Sequence, residues 1–446
     1  MWHIEDNHGK TLRTLSIGII DEVEKGSHLD QVINRYFTGS TIDHRYRGII
    51  YEITSGTIRW RAYLDWVLSQ YTNKTIKRDI RYLLWITLYQ ITFMKKASYH
   101  VVNEAVEYAK RTGGRYTAGF VNAILRRYIR EFIEDNEERG LDAHGPYGLR
   151  VLRTIKSNIQ RLAIIHSFPE WLIRRWVERF GENETEGLCS ILNRVPDFTL
   201  RIDKTGMNIE DAGDYLEKRG IKTQKGRYLD SAIKVDRLAP ILRDTLFQQG
   251  LMYVQDESSQ LVGIAVKPED GDLILDACCG MGTKTGHLQE LSENIRLFSM
   301  DMDLKKLKLM GKRQYVINGD VLQNPFREKT FDKILLDAPC SSIGIIRKHP
   351  EIKWRLTEKD IKESSRKQLA MLSSLWGCLK DNGCLIYSVC SFEPEETTGV
   401  LYEFSKENKF IVENPLPVLF NNIEYFLSLP HKTGLDGFFI ARLRKI

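Results

Sequence analysis

Cysteine is scarce in this chain, and its spacing fits none of the usual structural roles. The 446 residues include seven cysteines, an odd number that lies mostly in the second half and does not form a disulfide framework. Cys340 and Cys390 have no C-x-x-C partner of the kind that zinc sites prefer, so we expect no metal site. These absences predict a reducing, cytoplasmic setting in which the cysteines pack or do chemistry.

Long hydrophobic runs are missing as well. The longest, "YLLWITLYQITFM" from Tyr82 to Met94, contains Gln90 and is shorter than the roughly 18 residues that span a bilayer. The first residues show no basic flank followed by an apolar stretch, so we expect neither a secretory signal nor membrane association. The length predicts two or three domains.

Positive charge is concentrated in the first third of the chain. Residues 1–156 contain 24 Lys and Arg against 18 Asp and Glu, whereas the remainder contains 41 of each. A basic excess favours a polyanionic partner such as nucleic acid. On charge alone, a solvated surface explains the excess equally well.

The periodicity of apolar residues changes twice along the chain. Residues 1–140 predict an all-helical bundle whose last helix, "GFVNAILRRYIREF", directs its arginines outward. Residues 136–150 predict an exposed linker, and residues 141–250 predict linker helices and a small α/β section that begins with "TLRID". In residues 251–446, short apolar runs alternate with helices, which predicts a parallel, doubly wound sheet.

The chemically interesting residues of the last section follow predicted strands, where open parallel sheets bind their ligands. "DACCGMGTKTG" predicts a strand, a glycine turn and a helix start whose N–H groups suit an anionic or carboxylate group. The P-loop order G-x-x-x-x-G-K-[ST] is absent, which makes a nucleotide hydrolase the weakest hypothesis. Asp301 and Asp320 end the next two strands, where acids would meet ribose hydroxyls and an adenine amino group. Each acid alone is more often a helix cap or turn former, but together with the glycine loop the two acids favour a ligand site.

Two cysteines follow strands in the motifs "DAPCS" and "YSVCSFEPEE". Cys340 lies beside Asp337, and Cys390 precedes an acidic cluster. The other five are interpreted as packing residues, because a free cysteine is usually a small buried hydrophobe. These five are Cys189, Cys278, Cys279, Cys378 and Cys384.

"DAPCSSIGIIRKHPEIKW" together with "YSVCSFEPEE" resembles the signature of the RNA 5-methylcytosine methyltransferases of the RsmB/NOP (Sun) family. The similarity extends to "YVQDESSQL" and "DGFFIARLRK". The first third resembles a NusB-like RNA-binding domain in "YEITSGTIRWRAYLDWVLSQ", "VVNEAVEYAK" and "GFVNAILRRYIRE". The resemblance covers essentially the whole chain and implies three domains: a NusB-like bundle (1–140), an RRM-like α/β section (141–250) and a Rossmann-like class I methyltransferase domain (251–446).

The resemblance implies transfer of a methyl group from S-adenosylmethionine to C5 of a cytidine in small-subunit rRNA. A thiolate would add to C6 and so activate C5, with Cys390 as the nucleophile and Cys340 assisting product release. Asp337 would contact N3 of a cytosine that is flipped out of its stack. The same chemistry on tRNA, or a non-catalytic RNA-binding or ribosome-assembly factor, remains open, and we expect a monomer. The resemblance assigns cofactor contacts to Cys278, Cys279, Gly280, Met281, Gly282, Thr283, Lys284, Asp301, Asp320 and Asp337.

The glycine loop departs from the family pattern of alanine, proline and two glycines before a lysine. This chain reads "CGMGTK", with Met281 at the usual proline and Thr283 at the second glycine. A positive φ at Thr283 would cost about 1 kcal/mol, so the sequence predicts reduced cofactor affinity. Asp203 also stands where the family has asparagine, which weakens the predicted RNA contact of that section.

Overall fold

The computed structural model describes residues 12–38, 46–134, 155–310 and 315–446, so the predicted linker at 136–150 lies outside the described residues. The chain forms two compact units. The first contains residues 1–194 and 346–355, and the second contains residues 195–345 and 356–446. These units are coarser than the three predicted domains, whose boundaries at 140 and 250 stay a prediction.

The first unit is helical, as predicted. Its last long helix buries Val121, Ile124, Leu125 and Tyr128, and it kinks at Gly114, where φ is 76°. No helix within the described ranges is long and apolar enough to cross a membrane. The helices are α1 (Leu12–Glu24), α2 (Leu29–Phe37), α3 (Arg47–Arg59), α4 (Arg61–Ser69), α5 (Arg78–Thr92), α6 (Ser98–Tyr128), α7 (Asn158–Ile165), α8 (Glu170–Phe180) and α9 (Glu182–Leu192).

The first unit also contains the last nine residues of the "DAPCSSIGIIRKHPEIKW" motif, together with Arg355. Residues 346–355, which include the short helix Ile352–Arg355, belong to it by their contacts. Lys353 is fully buried and donates to the Arg59 carbonyl at 3.2 Å, the Ser167 carbonyl at 3.1 Å and Asn193 Oδ1 at 2.6 Å. Burial, with a contribution from the charge of Arg59, lowers the pKa of Lys353 well below its usual value. This part of the motif therefore anchors a chain segment in the helical unit.

The second unit begins with a small antiparallel sheet of strand order β2-β3-β1-β4. Leu200 and Ile202 alternate along its central strand and bury against Leu216 of the helix that covers the sheet. The prediction of a small α/β section is confirmed. Its elements are β1 (Phe198–Ile202), α10 (Ile209–Glu217), β2 (Thr223–Lys225), β3 (Ala232–Val235), the short helix Thr245–Gln248 and β4 (Met252–Val254).

The rest of the second unit is an eight-stranded sheet between helices. Its elements are α11 (Glu257–Val266), β5 (Leu273–Asp276), α12 (Thr283–Leu291), β6 (Arg296–Asp301), the short helix Leu304–Leu307, β7 (Val316–Asn318), β8 (Phe331–Asp337), α13 (Glu358–Trp376), β9 (Leu379–Val389), α14 (Thr398–Ser405), β10 (Phe410–Glu413), β11 (Tyr425–Ser428), the short helix Pro430–Thr433 and β12 (Phe438–Lys445). The strand order is β10-β12-β9-β8-β5-β6-β7, with β11 also paired to β12.

The sheet is mixed, which corrects the prediction of a parallel one. β5 to β9 pair in parallel, but β10, β11 and β12 pair antiparallel. Only residues 429–437 join β11 to β12, fewer than the dozen or so that a parallel crossover needs.

The strand order reverses between β5 and β8, so the loops after these strands run in opposite directions. They leave a crevice at the carboxyl ends of the strands.

Arg201, in β1 of the small sheet, ties that sheet to the glycine loop. It is buried, and it donates to Glu290 Oε1 at 2.7 Å and to Oε2 at 2.9 Å. It also donates to the Thr283 carbonyl at 3.3 Å, and its guanidinium lies 4.4 Å from the centre of the Tyr253 ring. The start of α12 is thus fixed from outside the large sheet.

Candidate active site

A cavity of about 880 Å³ opens at the carboxyl ends of β5, β6, β8 and β9. It brings together residues that lie more than 100 positions apart in the chain, as the strand-end rule predicts. Gly282 is the predicted site residue that does not line it. The predicted residues that do are Cys278, Cys279, Gly280, Met281, Thr283, Lys284, Asp301, Asp320, Asp337, Cys340 and Cys390.

The backbone of the glycine loop differs from the prediction. Gly280 and Gly282 have φ values of 55° and 79°, whereas Thr283 is not among the described residues with positive φ and begins α12. The predicted strain at Thr283 is therefore wrong, because the two remaining glycines occupy the positions that need the left-handed region. A Cβ on Gly282 would lie 2.7 Å from Met310 Cε, the flexible end of that side chain, so the positive φ rather than the space is what favours glycine there.

Asp301 and Asp320 act as turn formers and also line the cavity. Asp301 accepts from the backbone N–H groups of Gly280 and Asp303, both at 2.8 Å, so it holds the glycine loop against the end of β6. Asp320 accepts from the Leu322 N–H at 3.0 Å. The structural interpretation of these acids is confirmed, whereas their contact with a ligand stays a prediction.

Asp276 provides a test of whether a cofactor fits. Its Oδ2 accepts from Thr285 Oγ1 at 2.7 Å, but its buried Oδ1 has no partner although the residue lines the cavity. Burial raises the pKa of Asp276 to about 7. A Cβ on Gly280 would meet nothing within 4 Å. S-adenosylmethionine carries an ammonium group and ribose hydroxyls, and acids at successive strand ends beside an open loop are suited to them.

Two thiols meet at the other end of the cavity. Cys340 Sγ and Cys390 Sγ are 3.2 Å apart, and Ser342 Oγ lies 3.6 Å from Cys390 Sγ. The hydrogen bond with Cys340 lowers the pKa of Cys390 despite its burial. The same bond, together with burial, raises the pKa of Cys340. Two cysteines of equal intrinsic chemistry are therefore made unequal, and a thiolate is favoured at Cys390 over Cys340.

Asp337 connects the thiols to the glycine loop. Lys284 Nζ donates to its Oδ2 at 2.6 Å, and Ser388 Oγ donates to its Oδ1 at 2.8 Å. Burial acts against the Lys284 ammonium, but the Asp337 carboxylate outweighs it and raises the pKa of Lys284. Lys284 is thus an ammonium ion at neutral pH. The charge of Lys284 also favours a thiolate on Cys390.

Sequence reasoning missed several residues of this site. Ser388 could have been found, because it lies two positions before Cys390 and therefore on the same side of the extended chain. No such signal marks Glu396 or Gln368. The bond of Glu396 with Ser341 joins residues 55 positions apart, and the bond of Gln368 with Pro339 joins residues 29 positions apart. Apolar side chains at the rim, Met302 and Leu304, were not predicted either. Among the described residues, no group of three or more His, Cys, Asp or Glu could hold a metal ion.

The fold and the cavity are those of a Rossmann-like methyltransferase domain preceded by a helical bundle and a small α/β section, and comparisons with known proteins agree. Family models match three parts of the chain: "16S rRNA methyltransferase RsmB/F" at residues 263–444, "NusB family" at 10–130 and a RsmF/B-like "ferredoxin-like domain" at 168–242.

Relatives match over nearly the full length. "Ribosomal RNA small subunit methyltransferase B" of Pasteurella multocida is 31% identical over 89% of this chain and 88% of its own. "Probable ribosomal RNA small subunit methyltransferase B" of Bacillus subtilis is 29% identical over 98% and 99%. The crystal structure of PH0851 shares the fold, with a TM-score of 0.76 at 22% identity over 97% of this chain and 98% of that one.

The chain belongs to the RsmB/F family of rRNA methyltransferases. The predicted NusB-like, small α/β and methyltransferase folds are confirmed, and so is S-adenosylmethionine as the cofactor of this family. The roles of individual residues and the base that is modified are not fixed by family membership.

Proposed function

We propose that this protein transfers a methyl group from S-adenosylmethionine to C5 of a cytidine in 16S rRNA through a covalent bond between Cys390 and C6. The paired thiols beside the Asp337–Lys284 ion pair carry this proposal, because methyl transfer to an oxygen or nitrogen atom has no use for two adjacent thiols. The names of the curated relatives support small-subunit rRNA as the substrate.

The residues of the site supply what addition to cytosine requires. C5 is a poor nucleophile, and a thiolate bond to C6 makes it an enamine-like carbon. Cys390 is the thiol whose pKa is lowered, so it forms that bond. The proton that leaves the Cys390 thiol passes to N3, where Asp337 holds it in a hydrogen bond, so no negative charge builds up on the ring, and Lys284 holds Asp337 in place. The base must leave its stack to enter the cavity.

Cofactor binding falls to the other end of the cavity. When bound, S-adenosylmethionine supplies the methyl group. Asp276 and Asp301 would accept hydrogen bonds from its ammonium and hydroxyl groups, Asp320 would meet the adenine amino group, and the glycine loop would admit it closely. Product release then needs loss of the C5 proton to a base, return of the C5=C6 double bond and departure of Cys390 as a thiolate. Cys340, 3.2 Å away, assists this step.

The helical unit offers a surface for the phosphate backbone of the RNA. Lys95, Lys96 and Arg126 line a cleft of about 490 Å³ in which the described lining residues include no acid. Tyr99, 65% exposed, lies at the same cleft and offers an aromatic face. Uncompensated cations bind phosphates without reading sequence. Lys96→Glu should therefore raise the KM for RNA, leave kcat unchanged and reduce the salt dependence of binding.

The test is transfer of labelled methyl groups to protein-free 16S rRNA and, separately, to tRNA, with nucleoside analysis of the product. The wild-type protein should label 16S rRNA as 5-methylcytidine, Cys390→Ala should lose the label, and Cys340→Ala should accumulate a covalent protein–RNA adduct. If only tRNA is labelled, the substrate is tRNA and not 16S rRNA, but the proposed chemistry still holds. No transfer to either RNA and no cofactor binding would make the protein a non-catalytic RNA-binding factor.

The non-catalytic alternative rests on the unusual glycine loop. Since Thr283 needs no positive φ, the departure from the family pattern introduces no strain there. Asp337, Cys340 and Cys390 are all present and line one cavity, in which the two thiols are in contact, and a site without catalytic use has no reason to keep them together.

A further inference from the structure

A single buried carboxylate bonds to the residues next to both thiols. Glu396 is fully buried, its Oε1 accepts from the Ser341 N–H at 2.7 Å, and its Oε2 accepts from Ser391 Oγ at 2.6 Å. The Ser341 hydroxyl donates to Oε2 as well. Because Ser341 follows Cys340 and Ser391 follows Cys390, this carboxylate joins the two chain segments that bear the thiols.

Two further side chains complete the network. Gln368 Nε2 donates to Glu396 Oε1 at 3.2 Å and to the carbonyl of Pro339, which precedes Cys340, at 3.1 Å. The Tyr387 hydroxyl donates to the Glu396 carbonyl at 2.7 Å. The backbone is therefore held on both sides of Cys340, and its sulfur is held at its 3.2 Å distance from Cys390 Sγ. Such a fully bonded buried network specifies one arrangement.

The charge of the carboxylate acts on the nearer thiol. The bond with Cys390 and burial raise the pKa of Cys340, and the charge of Glu396 adds to both effects. Asp337 and Lys284 are the charged groups that face Cys390, and of these Lys284 favours its thiolate. The charge of Glu396 thus disfavours a thiolate on Cys340, whereas Asp337 and Lys284 act on Cys390 in opposite directions, so Glu396 contributes to the inequality of the two thiols.

We propose that Glu396 is a positioning residue that assigns the two thiols their roles: it holds Cys340 as the protonated hydrogen-bond donor and so leaves Cys390 free to act as the nucleophile. The inference deepens the proposed function and rests on it for its purpose, but the inequality of the thiols is measurable without RNA or cofactor.

The experiment is limited alkylation with iodoacetamide at neutral pH, followed by peptide mapping of both cysteines. Wild-type protein should react faster at Cys390 than at Cys340. Glu396→Gln keeps the size of the side chain but removes the charge, and it should lower the ratio of the two rates about tenfold, the effect of one pKa unit. Glu396→Asp keeps the charge and should stay within about threefold of wild type. Glu403→Gln, which removes an exposed carboxylate from α14, is the control and should change nothing.

Folding and function are checked separately. Circular dichroism and the Kd for S-adenosylmethionine should be unchanged in Glu396→Gln, because the glycine loop is not part of the network. The proposal would be overturned if the ratio of the Cys390 and Cys340 alkylation rates in Glu396→Gln stayed within twofold of the wild-type ratio. It would also be overturned if Glu396→Gln and Glu396→Asp lowered this ratio equally. If Glu396→Gln does not fold, the Cys390→Ala variant tests the proposal instead. In folded Cys390→Ala, Cys340 should be alkylated at least about tenfold more slowly than in the same chain denatured in urea. Equal alkylation rates of Cys340 in the folded and denatured chains would overturn the proposal. A normal wild-type ratio without methyl transfer to RNA would count against the proposed function alone.

Discussion

The two ends of the cavity are built in different ways. The glycine-loop end, residues 277–282 with Asp301, takes its shape from backbone groups: two positive φ angles and N–H groups that bind Asp301. The thiol end, residues 337–342 with 388–396, takes its shape from side chains that bond to one another and to the backbone. The shape of the glycine-loop end thus depends on backbone conformation, and the shape of the thiol end depends on the identity of its side chains.

This difference explains why the sequence departs from its family at one end only. Met281 is 59% exposed and Thr283 has no unusual φ, so both replacements leave the loop backbone as it is. At the thiol end, each side chain satisfies a specific partner, and a change leaves a buried polar group unpaired at a cost of about 1–3 kcal/mol. Four substitutions test this comparison.

The largest effect is expected for Lys284→Met, at the point where the two ends meet. It leaves Asp337 without its cation and Cys390 without the charge that favours a thiolate. The kcat for methyl transfer should fall by about two to three orders of magnitude, as for other charge-stabilising groups of active sites. Steady-state kinetics on 16S rRNA measures it. Lys305→Met, at an exposed residue of the same cavity, is the control, and an equal loss there would contradict the role given to the ion pair.

Arg201→Met is expected to change stability rather than chemistry. It removes the buried ion pair with Glu290 and the hydrogen bond to the Thr283 carbonyl, so the free energy of unfolding should fall by about 3 kcal/mol. Urea denaturation measures this change. Lys225→Met, which removes an exposed ion pair with Glu210, should cost less than about 1 kcal/mol. Similar values for the two variants would show that the small sheet does not support the glycine loop.

Asp276→Asn tests the buried acid through the pH dependence of stability. The pKa of Asp276 is about 7 in the fold against 3.8 for an ordinary aspartate, so the folded chain holds a proton that the unfolded chain has lost. The contribution of this residue to stability is full below the unfolded pKa and declines as pH rises, by about 2 kcal/mol between about pH 5 and pH 7. The Asp276→Asn variant should not show this decline in the free energy of unfolding. Parallel slopes for wild type and variant in cofactor-free urea titrations would refute the assignment.

Thr283→Gly should have the smallest effect, although it restores the family residue. No positive φ is relieved, so the variant should lose at most about 1 kcal/mol of stability from the added freedom of glycine. The Kd for S-adenosylmethionine should stay within about twofold, by isothermal titration. A clear gain in affinity would mean that the loop is strained after all and that its shape depends on residue identity.

How far the sequence predicts this molecule depends on the range of the interactions involved. Strand, glycine turn and helix are local signals, and the rule that parallel strands share one ligand-binding edge brought Asp301, Asp337 and both cysteines to one cavity. The φ angles of the loop were misassigned because the family pattern does not say which of its positions is left-handed. The antiparallel strands at the C-terminus follow from connection lengths that apolar runs alone do not reveal.

Other features depend on contacts between distant segments. Residues 346–355 read as part of the methyltransferase motif, yet Lys353 is buried in the helical unit among the Arg59 and Ser167 carbonyls. Glu396 stood in an acidic cluster with no assigned role, because its partners lie 28 and 55 positions away. Periodicity carries no information about such pairings.

The most direct test of the account is to identify the cysteine that bonds to RNA. An rRNA fragment containing 5-fluorocytidine forms an adduct that cannot be resolved, because the fluorine on C5 does not leave as a proton does. Peptide mapping of the trapped wild-type complex, formed in the presence of S-adenosylmethionine, should place the RNA on Cys390. An adduct on Cys340 would contradict the claim that the surroundings of the two thiols, and not their chemistry, decide which one attacks.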